Sequence, residues 1–404
     1  MEALGLVMVG ISFATIIGMV LKGVRLSSSL LAGVAVLLTG TSNSLGDALS
    51  TATTALADAT TWDLVFTGLA VTILGRVVKE FGLIDEMVVG LESVLKGNRA
   101  GIMGITMLVG AMPGHAGTML TAPLADCYGD RLGMTPVEKS AANLVFRHMV
   151  RMLLPYIPPL VLASRLTGLS ISSLIAHNTF PVMVSLAVGC LTLLPRGAGA
   201  LGESVAPGSF GRFLKAASPL WVGIGLFMVF RLSLPLSLLA GAGVALLVGQ
   251  RPQDFRLEAV WRMVDYHIAL TMISIMLFKY ALSGTHLLET ALECLLAAGL
   301  PQGFLLVAAP AVLGFVTGDM TATVGIGFPV LMPLVPADSK ALAHWGLAYV
   351  TGSVFYFMSP IHLCQVFSNT YFKTDFLPVF GKYVWSIVAA LAGTVLVFLV
   401  LTKG

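Results

Sequence analysis

The stretch that decides the fold is Val109-Gly110-Ala111-Met112-Pro113-Gly114-His115-Ala116-Gly117-Thr118-Met119-Leu120-Thr121-Ala122-Pro123. Apolar arms over 100–111 and 116–124 flank its Pro-Gly break. At about 1.5 Å per residue, neither arm can cross a bilayer core of roughly 30 Å. The pattern predicts a chain that dips into the membrane and returns, which is tolerated only where protein or a wet cavity surrounds the backbone. A second interrupted stretch, Val316-Thr317-Gly318-Asp319-Met320-Thr321-Ala322-Thr323-Val324-Gly325, stands in the other half of the chain. Interrupted apolar segments at matching places in two halves point to a transporter's binding site.

Composition agrees. Of 404 residues, 57% are hydrophobic and 11% charged, against about 25% charged in a soluble domain. An all-α polytopic membrane protein is expected, and a large soluble helical core is excluded by the charge count. The cysteines Cys127, Cys190, Cys294 and Cys364 form no CxxC pair. They are expected to be buried small hydrophobes, with no metal site and no oxidising compartment implied. Met1-Glu2 lacks the basic start of a signal peptide, so the first apolar run is expected to be a retained span.

Apolar runs at 4–21, 28–41, 61–79, 140–164 and 177–195 predict five spans, and those at 216–232, 234–250, 264–282, 341–368 and 380–402 predict five more. Residues 45–60 are expected to form an outside loop or surface helix, and 87–95 an interfacial helix. Thus 1–195 is expected to be a first repeat with a re-entrant hairpin over 99–127. A polar linker over 196–213 follows, then a second repeat over 214–404 with a hairpin over 302–335. The halves also match in sequence. Arg25-Leu26-Ser27 answers Arg231-Leu232-Ser233, Asp63 answers Asp265, and Pro155 answers Pro360.

Five spans plus a hairpin is an odd number of crossings, so the second repeat must be inverted, giving about ten spans and two hairpins in all. With the N-terminus outside, the basic residues of the segments 22–25, 76–99, 131–139, 196–215, 251–262 and 373–382 all fall inside. Arg165, Arg231, Lys340 and Lys403 fall outside, and Arg147, Arg151 and Lys279 lie within spans. The bias fixes the orientation under the positive-inside rule, in the inner (cytoplasmic) membrane.

Polar residues where the bilayer penalises them are the site candidates. The fourth span of the first half carries Asn143, Arg147, Arg151 and Pro155; its counterpart carries Ser359, Pro360 and His362. Proline inside a span frees carbonyls on the preceding turn, and broken helix ends can hold an ion or a carboxylate. Arg147 and Arg151 are four apart and share a face; they are snorkelling anchors or anion ligands. His115 and Asp319 each follow the glycine of their tip, and an ionisable group at that depth is functional by default, or else a local cap. Gly114, Gly117 and Thr118 at the first tip, and Thr317, Gly318, Thr321 and Thr323 at the second, complete the set. Na⁺ near Asp319 and Thr321 would find the oxygen ligands it prefers. His148, His177 and His267 are expected near interfacial span ends.

At these residues a family resemblance appears. Met112-Pro113-Gly114 with Ala122-Pro123-Leu124-Ala125-Asp126, Phe146-Arg147-His148, Gly325 to Pro329, and Ser359 to Cys364 with Tyr371 to Asp375 resemble the membrane family catalogued as domain of unknown function 401. That family is similar to gluconate permeases and belongs to the ion transporter superfamily. The resemblance implies an inverted repeat, two re-entrant hairpins, discontinuous helices, a homodimer, and the movement of carboxylates or other anions with Na⁺ or H⁺. A second glycine usually follows the family's first Pro-Gly; here it is His115.

The expectation is a secondary active transporter of a small anion, an organic carboxylate foremost, with the bilayer and its substrate as partners. No enzyme activity, cofactor or nucleic acid is expected, since neither HExxH nor Walker A occurs. The rivals are a cation carrier using Asp319, His115 and His362, and an intramembrane enzyme.

Overall fold

The computed structural model describes residues 2–41, 44–92, 95, 97–111, 116–195, 209–250, 264, 266–283, 299–360 and 362–403. Among them every regular element is helical: α1 (Glu2–Leu21), α2 (Leu26–Thr41), α3 (Leu45–Ala57), α4 (Ala59–Glu80), α5 (Leu83–Glu92), α6 (Asn98–Ala111), α7 (Ala116–Arg131), α8 (Pro136–Arg151), α9 (Pro158–Thr167) and α10 (Ile171–Leu193). The second half continues with α11 (Ser209–Met228), α12 (Leu234–Val248), α13 (Tyr266–Ser283), α14 (Gln302–Thr317), α15 (Met320–Leu331), α16 (Ala341–Phe357), α17 (Leu363–Phe372) and α18 (Phe376–Lys403). The chain is an all-α polytopic membrane protein. The helices α4, α10 and α18 are each long and apolar enough to cross a bilayer. Large apolar side chains such as Leu247, Leu377, Trp385 and Val400 cover the outside, as a protein bathed in lipid tails permits.

Local chemistry sets the boundaries. Ser44 caps α3 by accepting from Asp47 N–H, and Asp58 caps α4 by accepting from Thr60 N–H at 2.9 Å. Thr135 and Glu138 form a reciprocal capping box at the start of α8, with Pro136 at the first helical position, where its missing N–H costs nothing. Gly168 and Lys373 end α9 and α17 in the left-handed conformation, at φ 73° and 52°. The first is glycine's usual place; the lysine adopts it at a steric cost.

Helix pairing recurs between the halves. α1 packs on α2 as α11 does on α12, α6 on α7 and α8 as α14 does on α15 and α16, and α8 on α10 as α16 does on α18. Contacts between the halves are reciprocal: α4 lies on α12 as α13 lies on α2, and α9 on α15 as α17 lies on α7. The pairs α4–α13 and α10–α18 bring equivalent helices together. At the second of these, Ser185 Oγ donates to Ser386 O at 2.7 Å.

Two expectations need correction. The fourth spans, 140–164 and 341–368, are each two helices, because Pro155 and Pro360 sit in turns between α8 and α9 and between α16 and α17. Proline removes a helical donor, and Pro158-Pro159 restart the chain as the first turn of α9. Residues 209–213, expected in the linker, are the first turn of α11, where the Phe213 backbone packs against Gly90. Of the two alternatives expected for 45–60, loop or surface helix, the structure has a helix, α3, which packs on α13 and α4 with Ala55 as its buried residue. Asp265 and the linker over 196–208 lie outside the described residues.

Backbone contact at the hairpins is close. A Cβ on Gly314 of α14 would lie 2.7 Å from Gly352 O and 2.8 Å from Tyr356 N on α16, and one on Gly110 of α6 would lie 2.7 Å from Arg147 O on α8. Backbone cannot rotate away as a side chain can. Gly314→Ala is therefore expected to cost about 1–3 kcal/mol through overpacking. Gly303→Ala in the same helix meets nothing within 4 Å and should be neutral or slightly stabilising. Thermal unfolding of the two purified variants checks this, and equal melting would refute the close-approach account.

Candidate functional site

The second hairpin turn is built from Gly318 and Asp319. Gly318 ends α14 at φ 60°, its N–H bonded to Gly314 O at 2.9 Å. Asp319 is extended and caps α15, with Oδ1 accepting from Ala322 N–H at 2.8 Å. The threonines expected around its carboxylate turn elsewhere. Thr323 Oγ1 donates to Asp319 O at 2.7 Å, and Thr317 Oγ1 donates to Leu313 O at 2.7 Å. Both stiffen the turn and neither lines the cavity described below; Thr321 does. At the first hairpin, Gly114 and His115 lie outside the described residues, and Gly117 and Thr118 belong to the first turn of α7.

The two proline breaks are each tied to a hairpin end. Tyr156, buried between α8 and α9, donates its phenol to Ala111 O, the last residue of α6. In the other half, His362 Nδ1 lies 3.1 Å from Gly318 O. Within the breaks, short turns such as Leu153 N–H to Val150 O at 3.0 Å and His362 N–H to Ser359 O at 3.1 Å satisfy part of the backbone. Pro155, Ser359 and Pro360 do not line the cavity; they shape these turns. Asn143 serves a different purpose. Its Nδ2 donates to Ser368 Oγ at 3.2 Å in a buried network with Ser140, Asn369, Gln365 and Tyr383 that fastens α17 to α8 and α18.

A cavity of about 930 Å³ lies among α2, α4, α8, α9, α13, α15, α16 and α17, within the usual size of small-molecule sites. Of the sequence candidates it gathers Arg147, Arg151, Gly318, Asp319, Thr321 and His362. It also gathers residues that sequence reasoning had not placed there: Arg25, Arg76, Lys79, His148, His267, Tyr349, Ser353, Tyr356 and Cys364. Its charged lining is Arg25, Arg76, Lys79, Arg147 and Arg151 against Glu80 and Asp319. The N-termini of α9, α15 and α17 reach it through Pro158, Met320 and Leu363. The starts of α9 and α17 have no side-chain cap bond. Helix N-termini attract negative charge.

Arg147 is the exceptional residue. It is 2% exposed, and its Nε and Nη1 are buried with no hydrogen-bond partner among the described residues. Lys139, two turns earlier on α8, is also buried, but it meets Asp126 at 2.6 Å and Asp130 at 2.5 Å. The snorkelling alternative for Arg147 therefore does not hold, since its head is held inside the protein. His148 and His177, expected at interfacial span ends, are buried at 3% and 4% exposure. The His177 ring covers Gly346, whose missing side chain makes room for it. His267 instead lines the cavity mouth, where Arg25 Nη1 donates to its Nε2 at 2.6 Å. The ligating atoms of His148, His362 and Cys364 lie within 4.8 Å of one another.

Comparison with known proteins agrees with this architecture. The chain belongs to the family described as "Protein of unknown function (DUF401)", whose model matches residues 6–401. In fold it is similar to the YdaH transporter of Alcanivorax borkumensis, a crystal structure with an unusual topology. The match has a TM-score of 0.62 at 15% identity and covers 88% of each chain. No curated protein matches the chain.

The cap geometry at Asp319 yields a stability test. Asparagine caps nearly as well as aspartate, so Asp319→Asn should leave thermal stability within a few tenths of a kcal/mol, whereas Asp319→Ala should lose about 1 kcal/mol. Equal losses in the two variants would mean that the carboxylate, rather than the cap, holds the turn.

Proposed function

We propose that the chain is a secondary active transporter of a small anion, an organic carboxylate foremost, working by alternating access and coupled to Na⁺ or H⁺. The observation that carries this reading is the buried guanidinium of Arg147, whose Nε and Nη1 find no hydrogen-bond partner among the described residues, on the wall of a mostly basic cavity. An uncompensated buried charge costs several kcal/mol. A carboxylate ligand offers the planar, bidentate partner that a guanidinium fits best. Arg151 on the same helix face and the three helix N-termini add positive potential at the same place.

The recurring helix pairs support a division into repeats over 1–195 and 214–404, and the distribution of basic residues supports their inversion, with the N-terminus outside the inner membrane. In that orientation the two hairpins enter from opposite faces. Arg25 and Lys79 belong to segments assigned to the cytoplasm, so a cavity running from Gly318 to these residues is open inward. Asp319 is the coupling group of this proposal: Oδ1 caps α15, and the second oxygen, with Thr321 on the same wall, serves Na⁺ or a proton.

Two expected outcomes test the reading. Arg147→Gln should weaken carboxylate binding by at least about tenfold. The ligand-free protein should melt at the same or a higher temperature, because a buried unpaired charge is gone. Thermal-shift titration against a carboxylate panel measures both quantities, and an unchanged affinity would remove Arg147 from the site. In proteoliposomes, Asp319→Asn should lose uptake driven by a Na⁺ or pH gradient while retaining substrate exchange. Driven uptake at the wild-type rate would defeat the coupling role.

A further inference from the structure

One cluster of side chains on the cavity wall is not used by the anion site proposed above. His148 on α8, His362 at the break before α17 and Cys364 in the first turn of α17 bring their ligating atoms within 4.8 Å of one another. Backbone carbonyls set the orientation of both rings. His148 Nδ1 lies 2.7 Å from Leu144 O, and His362 Nδ1 lies 3.1 Å from Gly318 O. A carbonyl can only accept, so in each ring the Nδ1 atom carries the proton. Each neutral imidazole then presents a bare Nε2 lone pair, and these two atoms face each other at 3.0 Å. Facing lone pairs repel, so the arrangement calls for a positive centre between them.

We propose that His148, His362 and Cys364 form a metal site for Zn²⁺ or a cation of similar softness. An imidazole whose Nδ1–H is held by a carbonyl while Nε2 points at a common centre is the arrangement that metal-binding histidines adopt. A shared proton would leave the three groups held by hydrogen bonds alone, with Cys364 hydrogen-bonded to both imidazoles; a metal ion would use all three as donors at once. Two imidazoles and a thiolate are ligands that Zn²⁺ accepts at about 2.0–2.3 Å, with a fourth position left open. Closing that geometry requires the two Nε2 atoms to part by a few tenths of an ångström. All three residues line the cavity, so the open position faces it. Arg147 and Arg151 oppose a cation here, and the Cys364 thiolate together with Asp319 on the same wall supplies the compensating negative charge. The proposal does not depend on what the cavity transports.

The test uses the full chain, stripped with a chelator and reconstituted in lipid nanodiscs. It is then incubated with Zn²⁺ or Co²⁺, desalted, and analysed for metal content and absorption. The expected result is about one retained metal ion per chain. With Co²⁺, a thiolate-to-metal charge-transfer band and the intense visible bands of a four-coordinate site are expected. Cys364→Ser, close to isosteric, should abolish the charge-transfer band and weaken retention by at least roughly tenfold. Cys127→Ser, at an exposed cysteine, should change neither. Arg147→Gln should leave the band in place even where it abolishes anion binding, so failure of the metal site and failure of the anion site are distinguishable. A wild-type chain that retains no metal, which is the result a shared proton predicts, would overturn the proposal. A charge-transfer band that survives Cys364→Ser would do the same.

Discussion

Broken helices inside an apolar protein leave backbone groups that lipid tails cannot satisfy. This constraint organises the structure. Each proline break answers it with a side chain that reaches a hairpin end: Tyr156 donates to Ala111 O in the first half, and His362 meets Gly318 O in the second. The two bonds do equivalent work, tying a break to the helix whose end needs a partner. They differ in chemistry. A phenol that donates keeps only the lone pairs of the same oxygen, whereas an imidazole keeps a second nitrogen across the ring, and that nitrogen faces His148. Reactive groups thus gather beside the second hairpin because one half uses histidine where the other uses tyrosine.

The charges on α8 show two ways of keeping a cation inside. Lys139 is neutralised locally by Asp126 and Asp130 on the preceding helix. Arg147, two turns later, has no such partner at Nε or Nη1 among the described residues and borders the cavity. The first arrangement braces α7 against α8. In the transport function proposed above, the second stores an unfavourable state that an anionic ligand would relieve, which would convert desolvation into binding selectivity. Between them, the network of Ser140, Asn143, Ser368, Asn369, Gln365 and Tyr383 holds α17 in place. In low dielectric such bonds also penalise misplacement of the helix. The N-terminus of α17 therefore arrives at the cavity at a set height.

Small residues permit this assembly. Gly110 and Gly314 let the backbones of α6 and α14 touch those of α8 and α16, and Gly346 makes room for His177. Close approach of this kind is how helices associate where hydrophobic burial cannot discriminate protein from lipid.

The sequence by itself determined the class and the skeleton. Apolar runs, sparse charge and two interrupted segments are properties of short windows, and period and length suffice to read them. Arg147, Arg151, Asp319 and His362 were legible too, because an ionisable group among apolar neighbours stands out locally. Tertiary structure alone decided partnership. Arg25, Lys79 and His267 look in sequence like ordinary loop-side residues, and only the packing of α2, α4 and α13 around one cavity joins them to Arg147. Asn143 looked like a ligand, but its partner Ser368 lies 225 positions away in the chain. Cys364 looked like filler until folding set it beside His148. A hydrogen bond or a ligand set depends on distances that close across hundreds of residues, and no local pattern of apolar and polar letters encodes them.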